Sequence, residues 1–146
     1  MKVQFRAFAP CDLQTVREHL PYIMTETTRG ITAINKGTNE PLAFFLVDGW
    51  TRVSVTVHMV IINSMVLRHG WFETMANYVF TKCGKDRMYA TVSENNNNSL
   101  SLCKKFGFVE LIRLKDLFAE GVDCIFMEVK RENCRFWQPV ALAKAS

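Results

Sequence analysis

One crossover constrains this chain more than any other feature. From Arg52 to Ile61, Val53, Val55, Val57, Met59 and Ile61 alternate with Ser54, Thr56 and His58, the period of two of a strand with one face on a core. From Gly70 to Cys83 the period lengthens: Phe72, Met75, Ala76, Val79 and Phe80 recur at helical spacing until Gly84 stops the run. Arg87 to Val92 then returns to a short strand. Two strands of one sheet joined through a helix run parallel, because the chain re-enters the sheet from the same end.

Around that unit the spacing predicts hairpins. Residues 2 to 8 alternate as a half-buried strand, and Pro10-Cys11-Asp12 opens a helix that Leu13, Val16, Leu20 and Ile23 carry to about residue 24, with Pro21 kinking it or ending it early. Gly30 to Lys36 and Pro41 to Val47 form a meander around Gly37-Thr38-Asn39-Glu40, and a turn at Asp48-Gly49 leads into the central strand. Asn98 to Phe106 is a helix, and Phe108 to Leu114 and Val122 to Lys130 are closing strands. The order β-α-β-β-β-α-β-α-β-β describes an α/β (α+β) chain with a mixed, mostly antiparallel sheet flanked by helices. A single domain spans 1–146, with a C-terminal tail over 132–146 in which Phe136 and Trp137 pack on the body.

A chain of 146 residues buries a core without disulfides or metals. The 5 cysteines, at 11, 83, 103, 124 and 134, contain no C-x-x-C pair, so they read as reduced thiols of a cytoplasmic protein and not as a disulfide framework or a zinc site. The N-terminus lacks the apolar core of a signal peptide, and no run approaches the roughly 18 apolar residues of a membrane helix. A net charge of +4 favours anionic partners such as phosphorylated cofactors. Nucleic-acid binding would need Arg6, Arg29, Arg52, Lys104, Lys105 and Arg113 on one face, and their scatter makes it an unfavoured reading.

The segment from Val92 to Phe108 ends a strand in four asparagines, opens a short helix and closes it on Gly107-Phe108. Its pattern, V-x-x-x-N to Asn96, a small residue at Ser99, a Leu, then K-x-G-F from Lys105, resembles the acetyl-coenzyme A arm segment of GNAT-superfamily N-acetyltransferases. The element order is also that of the GNAT fold, with about seven strands, and the chain resembles small divergent members encoded by bacteriophages. Membership implies acetyl transfer from acetyl-CoA to a primary amine, a protein or peptide amine being favoured, by direct attack in a ternary complex. It also implies that Val60 and Ile61 on the central strand, Arg68, His69, Gly70 and Trp71 at the helix start, and Asn96, Ser99 and Lys104 contact the cofactor. The family's catalytic Tyr falls on Cys103, and its phosphate-loop pattern Q/R-x-x-G-x-G/A is half present, with Leu67 and Phe72 at the Gln/Arg and second small positions.

The residues allow the chemistry to be weighed separately. A helix start with free N–H groups is an anion site, so Gly70 marks a place for a diphosphate or simply begins a helix, with bulky Trp71 and Phe72 narrowing the approach. A lysine-like amine near pKa 10.4 takes about 4 to 5 kcal/mol to neutralise at pH 7. His58, on the polar face of the central strand, is the candidate base or a structural strand histidine. Asn96 either contacts the pantetheine arm or caps the helix. Cys103 is an acid for the departing thiolate, an acyl-accepting nucleophile or buried packing. Tyr78 and Tyr89 are not at the family spacing, and no motif implies a metal. The alternative to catalysis is a silent GNAT-like binding protein that docks on a partner protein. An apolar tail with Trp137, Val140 and Leu142 is compatible with a homodimer.

Overall fold

The computed structural model describes residues 1–139. Seven strands form one sheet: β1 (Val3–Ala7), β2 (Arg29–Asn35), β3 (Pro41–Asp48), β4 (Ser54–Ile61), β5 (Arg87–Ser93), β6 (Val109–Ala119) and β7 (Val122–Lys130). Their order across it is β1-β2-β3-β4-β5-β7-β6. β4 and β5 are parallel, as the crossover requires, and every other neighbouring pair is antiparallel. This is the expected α/β architecture with a mixed sheet.

The crossover helix α2 (Trp71–Ala76) runs on through a π-turn, Asn77–Lys82, and α3 is Asn97–Phe106. Both helices pack on one face of the sheet. Phe72 and Met75 from α2, Val79 from its π continuation, and Cys103 and Phe106 from α3 meet Val55, Val57, Met88 and Ala90 in the larger core. Phe106 centres an aromatic cluster, 5.3 Å from Phe72 and stacked on Phe136 at 5.8 Å. Trp137 of the tail packs on Phe80 and donates its Nε1–H to Thr81 Oγ1 at 3.0 Å. Val140 and Leu142, on which the dimer expectation also rested, lie outside the described residues.

Two elements depart from the periodicity. The first helix, α1, covers only Leu13–Arg17 after a 3-10 turn at Pro10–Asp12, instead of reaching residue 24. The Leu20 N–H still bonds the Val16 carbonyl at 3.0 Å, but Pro21 has no N–H and its ring excludes a further turn. The chain from 18 to 28 is therefore a loop on the opposite face, where Tyr22 joins Val16, Phe44, Leu46 and Val60 in a smaller core. The loop is tied down by Arg17 Nε to the Tyr22 carbonyl at 3.2 Å and by Trp50 Nε1 to the Thr27 carbonyl at 2.8 Å. At the other end of the sheet β6 continues to Ala119, beyond the expected Leu114, with bulges that bend it.

Two of the basic residues stand at opposite edges of the sheet. Arg6 on β1 is ion-paired to Asp12 at 2.8 Å, and Arg113 on β6, at the opposite edge of the sheet, reaches Glu110 at 2.6 Å. Among the described residues no helix is long and apolar enough to cross a membrane, and no cluster of three or more His, Cys, Asp or Glu could hold a metal ion.

Candidate active site

The site begins where the parallel pair fails. β4 and β5 align only over Ser54–Arg87, Val55–Met88 and Thr56–Tyr89. β3 nevertheless follows β4 to Ala43–Ile61, and β7 follows β5 to Ser93–Cys124. Each central strand keeps its outer partner while the two draw apart, so the sheet splits.

The hydrogen-bond phase of β4 shows what faces the split. The Ile62 N–H donates to the Leu42 carbonyl at 2.9 Å, and counting back by twos puts Val60, His58 and Thr56 in bonded pairs with β3. On the other side the Asp86 N–H donates to the Val53 carbonyl at 2.9 Å, the same phase. Val57 still sits beside the last aligned pair, whereas Met59 directs its N–H toward β5 at a position where β5 has moved away. Backbone donors aimed into a gap are suited to hold a carbonyl oxygen.

A cavity of about 470 Å³ occupies the split. Val57, His58 and Met59 line it from β4, Ala90 to Ser93 from β5, and Asn96, Ser99, Cys103 and Phe106 from α3 and its start. Leu20 to Ile23 of the loop, Asp48 and Phe118 close the remaining side.

His58 Nε2 lies 3.1 and 3.2 Å from the two carboxylate oxygens of Asp48, which closes β3 opposite Thr56. The Tyr22 hydroxyl donates to Asp48 Oδ2 at 2.6 Å and is shared with Thr28 at 2.9 Å, and the Tyr22 ring stands edge-on to the imidazole with centroids 4.9 Å apart. A carboxylate at Nε2 favours the proton on that nitrogen, leaving the lone pair of the neutral ring on Nδ1, which has no partner among the described residues. Burial and the Asp48 carboxylate push the Tyr22 hydroxyl up to about 12, so it stays a donor at neutral pH.

Of the residues singled out from the sequence, the structure brings four to the cavity: His58, Asn96, Ser99 and Cys103. Asn96 caps α3, its Oδ1 accepting from the Ser99 N–H at 3.1 Å. Cys103 is 8% exposed, and burial raises its thiol from 9.0 to about 11. It is thereby a neutral S–H and a weak proton donor, since proton transfer from it to a thiolate near 8.5 runs uphill.

The other expected contacts stand apart from the cavity lining. The Val60 side chain is buried in the smaller core and its N–H belongs to the β3 side; Ile61 packs against the larger core. Trp71, buried at 0% exposure, packs on Phe5 with ring centroids 5.8 Å apart, so only its backbone is left to meet an anion. The expectation that Trp71 and Phe72 narrow the helix start is overturned, because both rings turn into the core. Lys104, Arg68 and His69 are exposed, the last two ending a 3-10 helix, Ser64–His69, whose cap is Gly70 in the left-handed region at φ 81. A Cβ on Gly70 would stand 3.7 Å from Glu73 Oε2, so the mouth of α2 already carries one carboxylate.

The residues missed from the sequence are Tyr22 and Asp48. Asp48 reads as half of an Asp-Gly turn, and Tyr22 is off the apolar spacing of the first helix; pairing them spans 26 positions, which no local pattern carries.

No protein-family model and no curated protein matches the sequence. Solved structures do match. Spermidine/spermine N-acetyltransferase SpeG from Vibrio cholerae, in complex with manganese ions, aligns with a TM-score of 0.73 at 14% identity, over 99% of this chain and 98% of that one. A chimeric form of the same enzyme aligns at 0.71 and 14%, over 90% and 98%. At such identities the likeness establishes the fold. The chain has the GNAT fold of the N-acetyltransferases, a seven-stranded mixed sheet with flanking helices.

Proposed function

We propose that this protein transfers an acetyl group from acetyl-CoA to a primary amine, free or on a peptide. The observation that carries the reading is the split between β4 and β5, where a backbone donor and an imidazole backed by a carboxylate open onto one cavity. The names of the aligned acetyltransferases support an amine as acceptor.

The residues fit such a co-substrate best at its acyl end. A thin pantetheine arm would run in the gap between the strands, and the Met59 N–H would receive the thioester oxygen. At the diphosphate end, Gly70 leaves the first turn of α2 open, and Arg68 and His69 add positive charge against the Glu73 carboxylate. Bound acetyl-CoA supplies an activated acyl carbon and a thiolate that leaves near neutrality without a strong acid.

His58 Nδ1 takes the proton that the amine loses as its nitrogen bonds the acyl carbon, and the carbon–sulfur bond breaks with its electron pair on sulfur. Asp48 holds the ring by Nε2 and stabilises the imidazolium formed. Tyr22 fixes Asp48 from the other side. Through the proton taken up, His58 then serves the thiolate, which makes the absence of a tyrosine at position 103 tolerable.

Titration calorimetry with acetyl-CoA, followed by thioester loss in the presence of amines, tests the reading. Saturable binding and amine-dependent turnover are expected. No heat at millimolar acetyl-CoA sinks it and leaves the second reading, a silent GNAT-fold binding protein, which the Glu73 carboxylate at the anion end favours.

A further inference from the structure

The acceptor side of the cavity differs in character from the cofactor side. Ile23 in the loop and Phe118 on β6 stand 78% and 54% exposed at its mouth, beside Leu20 and Pro21. Among the described residues the lining contains one carboxylate, Asp48, and its oxygens are already engaged by His58 and Tyr22. Asp116, near Phe118 in the chain, accepts from the Gly121 N–H and lies outside the lining, as does Glu120, with Lys115 beside them.

Resting on the acetyltransferase reading, we infer that the acceptor is a primary monoamine carried on an apolar body, an aryl- or branched-alkylamine, and not a polyamine. A polyamine brings further ammonium groups beyond the one that reacts. Each would leave water along a wall of Leu20, Ile23 and Phe118 with no free carboxylate to meet it. Phe118 offers a cation only a weak, exposed ring contact, and the +4 charge of the chain works against polycations at a distance. An apolar body instead covers Ile23 and Phe118, whose surface is otherwise left in water.

The test is the ratio of kcat/KM for phenethylamine and spermidine, measured with saturating acetyl-CoA. The expected ratio favours phenethylamine at least about tenfold, roughly 1.4 kcal/mol of discrimination. Phe118→Glu and, separately, Ile23→Asp should each lower the ratio by about threefold or more, chiefly by reducing phenethylamine kcat/KM, with melting temperature and acetyl-CoA affinity unchanged. Neither residue belongs to the catalytic set. Equal or better use of spermidine overturns the inference while leaving the acetyltransferase reading intact, and so does a ratio that neither variant moves. Failure to bind acetyl-CoA at all overturns both.

Discussion

The two halves of this sheet are made of the same kinds of residue and do different work. From β1 to β4 the strands are antiparallel, with six aligned pairs between β3 and β4 and buried side chains throughout β3 from Leu42 to Val47. Between β4 and β5 the alignment stops after three pairs. In the antiparallel half β3 is bonded to a neighbour on both sides, whereas the parallel pair leaves a donor facing a cavity. The difference teaches that the split is what distinguishes the half of the sheet where the proposed chemistry gathers. A strand joined through a helix is free to diverge from its partner, while a hairpin-joined strand is held in register by its turn.

Breaking the split's chemistry should have the largest effect. His58→Ala is expected to lower kcat by about 10²- to 10⁴-fold with acetyl-CoA affinity near wild type; steady-state rates beside calorimetry check it, and unchanged turnover would make His58 structural. Asp48→Asn should give a smaller loss, about 10- to 100-fold, by freeing the ring that Asp48 holds. Closing the gap comes next. Ala90 lines the cavity from β5, and Ala90→Phe should weaken acetyl-CoA binding at least about tenfold, about 1.4 kcal/mol. A variant that melts like wild type and binds the cofactor as well would show that the arm runs elsewhere.

The antiparallel half should answer in stability and not in rate. At Gly30 an added Cβ would run into the Phe45 carbonyl of the adjoining strand. Gly30→Ala is expected to destabilise by about 1–3 kcal/mol in urea unfolding while kcat per folded molecule holds; a rate change at equal stability would break the comparison. The smallest effect is alkaline. Burial keeps Cys103 protonated up to about 11, whereas the unfolded chain releases that proton near 9.0, so its contribution to stability is whole below pH 9.0 and is lost as pH rises toward 11. Cys103→Ala should flatten that part of the melting-temperature profile, and an unaltered slope would assign it to other groups.

Much of this was legible in the sequence because local periodicity carries it. The alternation at Val53 to Ile61, the helical spacing from Phe72 to Phe80 and the cap at Asn96 each reflect one element and its face. The parallel pair followed from connectivity alone. What stayed hidden depends on contacts far apart in the chain. Pro21 was visible as a break, yet the apolar spacing of Leu20 and Ile23 suggested a longer helix, and only tertiary packing shows Tyr22 turned back onto His58. The full length of β6 was missed because its residues are exposed on both faces, so no buried stripe marks its end. The extent of the split is a sheet-level property that no single strand encodes.

The loop released by Pro21 stands outside the secondary structure yet supplies one wall of the cavity, and it is moored by Arg17 to Tyr22, Trp50 to Thr27 and Tyr22 to Asp48. A segment anchored in this way is suited to exchange. Grafting a different sequence between these moorings, with Tyr22 retained, would give a new selection of guests while the proposed acyl-donor site goes on unchanged.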